Sequence, residues 1–272
     1  MAPRLKHGGA MSKLKVLVTG ATGQIGRTIM EDLSDRWELT ATSRSSNPDP
    51  RFIELDFSDM DETVAAFSGQ DAIVHMHGKA NHDTDEFEPY LRSNIIDLYA
   101  AYEATRLAGV KRFIFASSNH AAGWQELAGQ AAGPDVGYRP DGFYGAAKVY
   151  GEALGNYYSD RYGMEVVCLR IGSYKYRAKP TEWEGRRILS TWLSDRDLID
   201  LVTRSVETAG ISFGVYYGVS NNARSYWDIT SAVADLGYIP SDNAEEYADA
   251  VIAGGGMSGL WDIDIPGIIE SS

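Results

Sequence analysis

Early in the chain, Gly20-Ala21-Thr22-Gly23-Gln24-Ile25-Gly26 joins an apolar run, Leu14 to Thr19, to an amphipathic stretch, Ile25 to Leu33. Glycines in this spacing make a tight strand-to-helix turn. They let the backbone approach a pyrophosphate and set that anion at a helix N-terminus. Such turns also occur without a nucleotide, so the motif needs a second signal. That signal comes about 120 residues later, where Ser117-Ser118 precede Tyr144-Gly-Ala-Ala-Lys148. In this order the pieces read as a nicotinamide dinucleotide site followed by a Ser-Tyr-Lys proton-transfer site. Gly20, Thr22, Gly23, Gln24, Ile25 and Gly26 are the expected contacts at the pyrophosphate.

Strand-like runs alternate with helix-like stretches through the first two thirds of the chain. Leu14–Thr19, Glu38–Thr42, Phe52–Leu55, Ala72–His75, Arg112–Ser117 and Val166–Arg170 are short and rich in β-branched or large apolar residues. Between them lie helical patterns over Ile25–Leu33, Asp59–Phe67, Asp85–Ala108 and Phe143–Tyr162, with Gly109 and Gly163 at expected C-caps. This alternation predicts an α/β fold, a doubly wound parallel sheet with helices on both faces. After Gly172 the pattern changes to an irregular, basic and aromatic segment, Ser173 to Arg187. A helix over Asp195–Thr208, a strand over Val215–Val219 and a helix over Tyr226–Leu236 are expected next. Residues 1–12 read as a disordered leader, with Met11 as an alternative start. Residues 13–272 read as a single domain whose substrate-covering elements fall mainly in 173–272, and the run Gly254-Gly-Gly256 opens a tail.

Composition narrows the function classes. At 272 residues and 44% hydrophobic the chain can bury a core, and no apolar run is long enough to span a bilayer. A net charge of −13 argues against general nucleic-acid binding, which wants a basic face, and keeps the chain soluble through self-repulsion. The single cysteine, Cys168, excludes an internal disulfide and fits a reducing cytoplasm, where the protein is expected to reside.

The second strand delivers the residue that meets the adenosine ribose. NAD enzymes place an acid there about 20 residues after the glycine turn. Here the segment is Thr40-Ala-Thr-Ser43-Arg44-Ser45-Ser46, with no Asp or Glu between Glu38 and Asp49. Ser43 and Ser45 can donate to a 2′-phosphate, and Arg44 can pair with it or stack on adenine, so NADP is expected ahead of NAD. Asp56, beside Phe57, closes the third strand and can accept from the adenine amine. It can also cap the next helix, a role Asp59 could fill instead. His75-Met76-His77 ends the fourth strand and is expected beneath the nicotinamide ribose. His82 adds a third imidazole, but no Cys or acidic partner has ligand spacing, so no metal is expected.

Tyr144 and Lys148 are four apart and share a helix face. An ammonium beside a phenol favours phenolate, which would let Tyr144 take a hydroxyl proton while hydride leaves the same carbon. Ser118 would hold the reacting oxygen.

With these motifs the chain resembles the extended short-chain dehydrogenases/reductases over about residues 14 to 240. The resemblance implies a Rossmann-type fold and adds Asn94, on the fourth helix, to the cofactor side. Phe115-Ala-Ser-Ser118-Asn119-His120, Arg139-Pro-Asp-Gly-Phe-Tyr144-Gly, Leu169-Arg-Ile-Gly-Ser173, Leu189-Ser-Thr-Trp-Leu-Ser194 and Asp242-Asn-Ala-Glu245 are similar to uronate dehydrogenases and related archaeal sugar 1-dehydrogenases, of the L-arabinose and glucose 6-phosphate type. Those enzymes oxidise the anomeric carbon of a cyclic sugar to a lactone with NAD(P). The resemblance implies Ser118, Tyr144 and Lys148 as catalytic, and Lys79, Asn119, His120, Ser173 and Arg187 as sugar contacts. Arg187 matches the arginine that pairs with a uronate carboxylate. It also implies a homo-oligomer, a dimer or tetramer, through the two long helices.

The departures shift the substrate reading. Ala80, beside Lys79, stands where uronate dehydrogenases place a serine that touches substrate. Ser43 replaces the family's cofactor aspartate, and the loop from Ser173 to Arg187 is longer and carries Lys175, Arg177, Lys179 and Arg186. The expected reaction is sugar C1 oxidation, on a neutral aldose such as L-arabinose, with glucose 6-phosphate or a hexuronate as alternatives. A nucleotide-sugar epimerase would need a larger C-terminal part, and a non-catalytic NADP sensor would typically lose the Tyr or Lys.

Overall fold

A computed structural model describes residues 13–80, 86–127, 133, 135 and 137–254. The expected leader, His82 and the expected C-terminal tail from residue 255 lie outside the described residues. Seven strands form one parallel sheet: β1 (Lys15–Thr19), β2 (Glu38–Ser43), β3 (Phe52–Glu54), β4 (Ala72–His75), β5 (Arg112–Ser118), β6 (Glu165–Ile171) and β7 (Phe213–Gly218). Their order is β3-β2-β1-β4-β5-β6-β7, so the winding reverses between β1 and β4. Ligands in open α/β sheets bind at such a reversal, outside the carboxyl ends of the strands. The doubly wound α/β fold expected from the alternation is the one observed.

Strand alternation divides the core. On β1, Val16 and Val18 pack to one face with Ile29 and Met30 of α1 (Gln24–Asp32). Leu17 points the other way, into a cluster with Phe113, Phe115 and Tyr102. Helices α2 (Met60–Phe67), α4 (Asp97–Leu107) and α6 (Phe143–Tyr162) cover that second face, and α8 (Asp195–Glu207) joins α1 on the first. The sheet is thus buried on both sides, which is why β5 reads as an unbroken apolar run rather than an alternating one.

Two helix expectations are corrected. The single helix expected over residues 85–108 is a short α3 (Glu88–Tyr90), a π-helical turn over Leu91–Ile96 and then α4. The wider turn carries Asn94 inward, where its side chain brackets Lys79 by accepting from the backbone N–H at 2.7 Å and donating to the carbonyl at 3.0 Å. The helix expected over Tyr226–Leu236 is confined to a π-helical turn, Ala232–Leu236. Tyr226 and Trp227 precede it, and the Trp227 ring stacks on Tyr217.

The C-terminal third adds α7 (Ile188–Thr191) and α9 (Ala248–Ala253). They share a small cluster with Trp192 and Ala244, against the carboxyl side of β6. The basic loop is pinned to α1: Tyr176 O–H donates to Glu31 at 2.7 Å, and Arg177 pairs with Asp32 at 2.6 Å. Arg177 is therefore not available to steer anions; its charge is already neutralised.

Candidate active site

A cleft of about 460 Å³ opens at the sheet's reversal point. Gly20, Thr22, Gly23, Ser43, Arg44, Phe57, Met76, His77 and Lys79 line it, all of them singled out in the sequence. Its geometry suits a dinucleotide. Gly20 has φ of +64°, and a Cβ there would lie 2.6 Å from the His77 nitrogen across the reversal. A Cβ on Gly26 would lie 2.4 Å from the Gly20 carbonyl, so the turn closes only with hydrogen at both positions. No side chain caps the first turn of α1, which leaves its N–H groups for a phosphate. Gly20, Thr22 and Gly23 would hold the pyrophosphate, and Ser43 and Arg44 the adenosine end. Gln24 and Ile25 stand apart from the cleft lining. The Gln24 carboxamide oxygen accepts from the Tyr176 N–H at 3.0 Å, and Ile25 packs against the core.

Other cofactor candidates are placed differently from expectation. His75 is fully buried in the sheet, bonded through Nδ1 to Thr19 Oγ1 at 2.9 Å and stacked on Phe113. Burial holds it well below its ordinary pKa, hence neutral. The cleft begins one residue later, at Met76, so His75 supports it from below rather than lining it. Asn94 braces the loop at Lys79, as described above, and its amide does not reach the cleft wall. Asp56 is exposed and pairs with Arg92 at 2.8 Å; Asp59 is the residue that caps α2, accepting from the Glu62 N–H at 3.0 Å. Ser43 turns its hydroxyl to the Ser45 carbonyl at 2.5 Å, and Ser45 itself is exposed. Lys79, expected at the sugar, sits on the rim of the nucleotide cleft.

Arg92 and Asp97, which also line the cleft, escaped the sequence reading. Arg92 Nε lies 2.7 Å from Asp97, and His77 Nε2 lies 3.0 Å from the same carboxylate. Only the π-helical turn brings Arg92 there, and no local pattern announces that turn. Among the described residues no three His, Cys, Asp or Glu side chains converge as metal ligands.

The expected sugar end is assembled from the carboxyl ends of β5 and β6 and the start of α6. Gly145 lets α6 press against the turn after β5: a Cβ there would meet the His120 carbonyl at 2.1 Å. This contact sets Tyr144 against His120, edge-to-face at 5.5 Å between ring centroids. Ser118, at the end of β5, is 5% exposed and lies near enough to Tyr144 to favour its phenolate. Lys148, one turn along, donates to the Ala116 carbonyl at 2.7 Å and lies 5.4 Å from the centroid of the Tyr144 ring. Ser118, Tyr144 and Lys148 are thus brought together.

Their electrostatics differ from expectation. Burial pushes Tyr144 up to about 12, and the nearby Ser118 hydroxyl offsets this only in part. Burial also brings Lys148 down to about 8. Desolvation of the phenol dominates, Tyr90 and Asp141 raise it further, and Lys148 is turned toward a carbonyl. Beneath them, Glu152 and Arg170 form a fully buried ion pair at 2.8 Å, and Glu152 also accepts from Ser117 at 2.5 Å.

The remaining sugar candidates form one connected wall. His120 Nδ1 is 2.7 Å from Asp141. In the amide orientation that satisfies both ends, Asn119 donates to the Ile171 carbonyl at 3.1 Å and to Ser118 Oγ at 3.3 Å. Its oxygen then accepts from Arg187 Nη2 at 2.9 Å. Arg187 Nη1 donates to Ser173 Oγ at 3.3 Å, and Nε and Nη2 donate to Glu126 at 2.5 and 2.9 Å. Glu126, on α5 (Gly123–Leu127), and Tyr226, which donates to it, were not singled out in the sequence. Asp141 was quoted only within its motif. Nothing in the spacing of residues 126, 187 and 226 reveals that they meet.

Comparisons with known proteins agree with this geometry. Residues 16–190 match the NAD dependent epimerase/dehydratase family. A uronate dehydrogenase of Pseudomonas putida is 38% identical over 247 residues, covering 88% of this chain and 88% of that protein. An L-arabinose 1-dehydrogenase (NAD(P)(+)) of Haloferax volcanii is 34% identical, covering 85% of this chain and 97% of that one. The crystal structure of a uronate dehydrogenase from Agrobacterium tumefaciens, in a tyrosine-to-alanine variant complexed with NAD, superposes with a TM-score of 0.79. It is 36% identical and covers 89% of this chain and 90% of that chain.

Proposed function

The chain belongs to the NAD dependent epimerase/dehydratase family, and from that premise we propose that it is an NAD(P)-dependent sugar 1-dehydrogenase acting on a neutral aldose, L-arabinose being the best candidate. The observation that carries this reading is adjacency. Met76 and His77 line the nucleotide cleft where β4 stops, and Ser118 ends β5, the strand paired with β4, with Tyr144 at the start of α6 close by. Bound NAD(P)+ would supply the acceptor for the hydride that leaves C1. Ser118 holds the C1 oxygen, and Tyr144 takes its proton, so that loss of C1–H and O–H leaves the C1=O of a lactone. Only the phenolate form of Tyr144 can take this proton, and since burial favours the protonated phenol, oxidation should quicken as pH rises. Lys148 fixes the phenol's surroundings from the neighbouring helical turn, and burial of all three side chains excludes water from the reacting atoms.

NADP is favoured over NAD in this reading. β2 ends in Ser43 and Arg44 without an acid, and Arg44 and Arg92 both face the cleft. The 2′-phosphate can pair with Arg44, whereas the ribose hydroxyls of NAD would lack their usual carboxylate acceptor. A sugar phosphate is the second reading, favoured by Lys175, Lys179 and Arg186 on the exposed loop. It is weakened by the neutralised Arg177. The subunit is proposed to pair as a dimer or tetramer, since Ile96, Tyr99, Phe143 and Tyr157 are exposed along α4 and α6 and the turn before α4. A cytoplasmic location suits its single buried thiol, and no described helix is long and apolar enough to cross a membrane.

The direct test is spectrophotometric: neutral aldoses, aldose phosphates and hexuronates with NADP+ and NAD+, following reduced nucleotide at 340 nm. Reduction on a neutral aldose, faster with NADP+, is the expected result. No reduction with any of them would refute the reading.

A further inference from the structure

The wall that includes Asn119 and Ser173 contains an arginine whose charge is already answered from within the chain. Glu126 is 5% exposed, and its carboxylate meets Arg187 side-on, through Nε at 2.5 Å and Nη2 at 2.9 Å. The Tyr226 hydroxyl donates to the same carboxylate, and the Trp227 ring lies 5.8 Å from the guanidinium carbon. Burial works against the charge on Arg187, but Glu126 more than compensates, and the guanidinium is held more firmly protonated than usual. Arg187 is also within two hydrogen bonds of the reacting oxygen's holder, because Asn119 bridges Arg187 Nη2 and Ser118 Oγ.

We infer that Glu126 is a specificity residue that closes the sugar site to anionic substrates by occupying the Arg187 guanidinium. This rests on the sugar dehydrogenase reading and names its substrate class. A guanidinium captures a carboxylate or phosphate bidentately side-on, through Nε and Nη2, or end-on, through Nη1 and Nη2. Ser173 and Asn119 already engage the end-on edge, which leaves the side-on face as the stronger anion site. Here that face is filled. An anion on the substrate must either displace Glu126 into a buried space or settle beside it, and like charges in a dry pocket repel strongly. A hydroxymethyl group or a hydrogen at the same place meets no such opposition. Two further polar contacts, Ser173 Oγ on Nη1 and Asn119 on Nη2, leave the pair to act as a neutral wall with fixed donors.

Matched sugars test this directly. D-Galactose and D-galacturonate differ only at the exocyclic carbon, as do D-glucose and D-glucuronate. Wild type should prefer the neutral member of each pair. Glu126→Gln, nearly isosteric but uncharged, should raise the uronate-to-neutral ratio of kcat/KM at least about tenfold, mainly through KM. Glu126→Asp keeps the charge and should keep the wild-type preference, which a purely structural role would not predict. Adding Arg187→Ala to Glu126→Gln should abolish the gain. Melting curves identify any variant that fails to fold, and Tyr226→Phe then serves as the milder substitute. By loosening the carboxylate's hold it should raise the ratio in the same direction.

An unchanged ratio in Glu126→Gln, or a wild type that prefers uronates, overturns the role of Glu126 while leaving the dehydrogenase reading intact. If no sugar is oxidised by wild type, the dehydrogenase reading falls instead. Titration calorimetry with D-galacturonate and D-glucuronate in the presence of NADPH then decides the inference separately: tighter binding to Glu126→Gln supports it and equal affinity overturns it.

Discussion

At the nucleotide end, Gly20, Thr22 and Gly23 come from one turn, and most other cleft residues sit where neighbouring strands stop. At the sugar end, residues 118–120, 126, 141–148, 173, 187 and 226 converge from separate segments and bind one another. The first region sets a bare glycine turn among side chains at strand ends and is open to a ligand. The second is a closed web of charged and aromatic side chains, buried and mutually paired. A backbone cradle recognises what all dinucleotides share. A side-chain web can be retuned one residue at a time, which is why the proposed substrate choice is assigned to it.

If this contrast is right, changes at the sugar end cost more than changes at the nucleotide end. Tyr144→Phe is expected to lower kcat by about 10²–10⁴-fold while leaving NADP+ affinity nearly intact, since the phenol serves proton transfer alone. Steady-state rates and fluorescence titration of nucleotide check both halves. Retention of more than about a tenth of wild-type kcat would remove Tyr144 from its role.

Next in size is the buried pair below the site. Arg170→Met leaves Glu152 without its guanidinium and should destabilise the fold by about 3–5 kcal/mol in urea unfolding. A loss under about 1 kcal/mol would mean that the web relaxes and is less coupled than its geometry implies.

At the nucleotide end, Arg44→Asp should move cofactor preference toward NAD about tenfold or more, one charge-assisted hydrogen bond lost and an acceptor for ribose gained. Measured as the ratio of kcat/KM for the two nucleotides, no change would place Arg44 outside recognition. The smallest effect belongs to a purely local device. Asp59→Ala removes the cap of α2 and should cost about 1 kcal/mol with unaltered kinetics. A kinetic effect would show that the nucleotide end is less modular than its local construction suggests.

Local chemistry made much of this protein legible in its residues. Gly20 to Gly26 encode a turn that only glycine can take. The alternation of short apolar runs and amphipathic stretches encodes a doubly wound sheet, and the Tyr144–Lys148 spacing puts phenol and amine on one helix face. Each rests on interactions within a few residues, so sequence alone determined them. Long-range packing decided the rest. Register within the sheet buries His75 beside Thr19 and leaves the cleft to Met76 and His77. A π-helical turn brings Arg92 to that cleft and Asn94 to Lys79. Burial raises the Tyr144 pKa that its spacing from Lys148 alone would have lowered. The pairing of Glu126 with Arg187 spans 61 positions and has no local signature. It exists because the ends of β5 and β6 stand side by side in the sheet and bring distant loops into one dry pocket, where opposite charges must find each other.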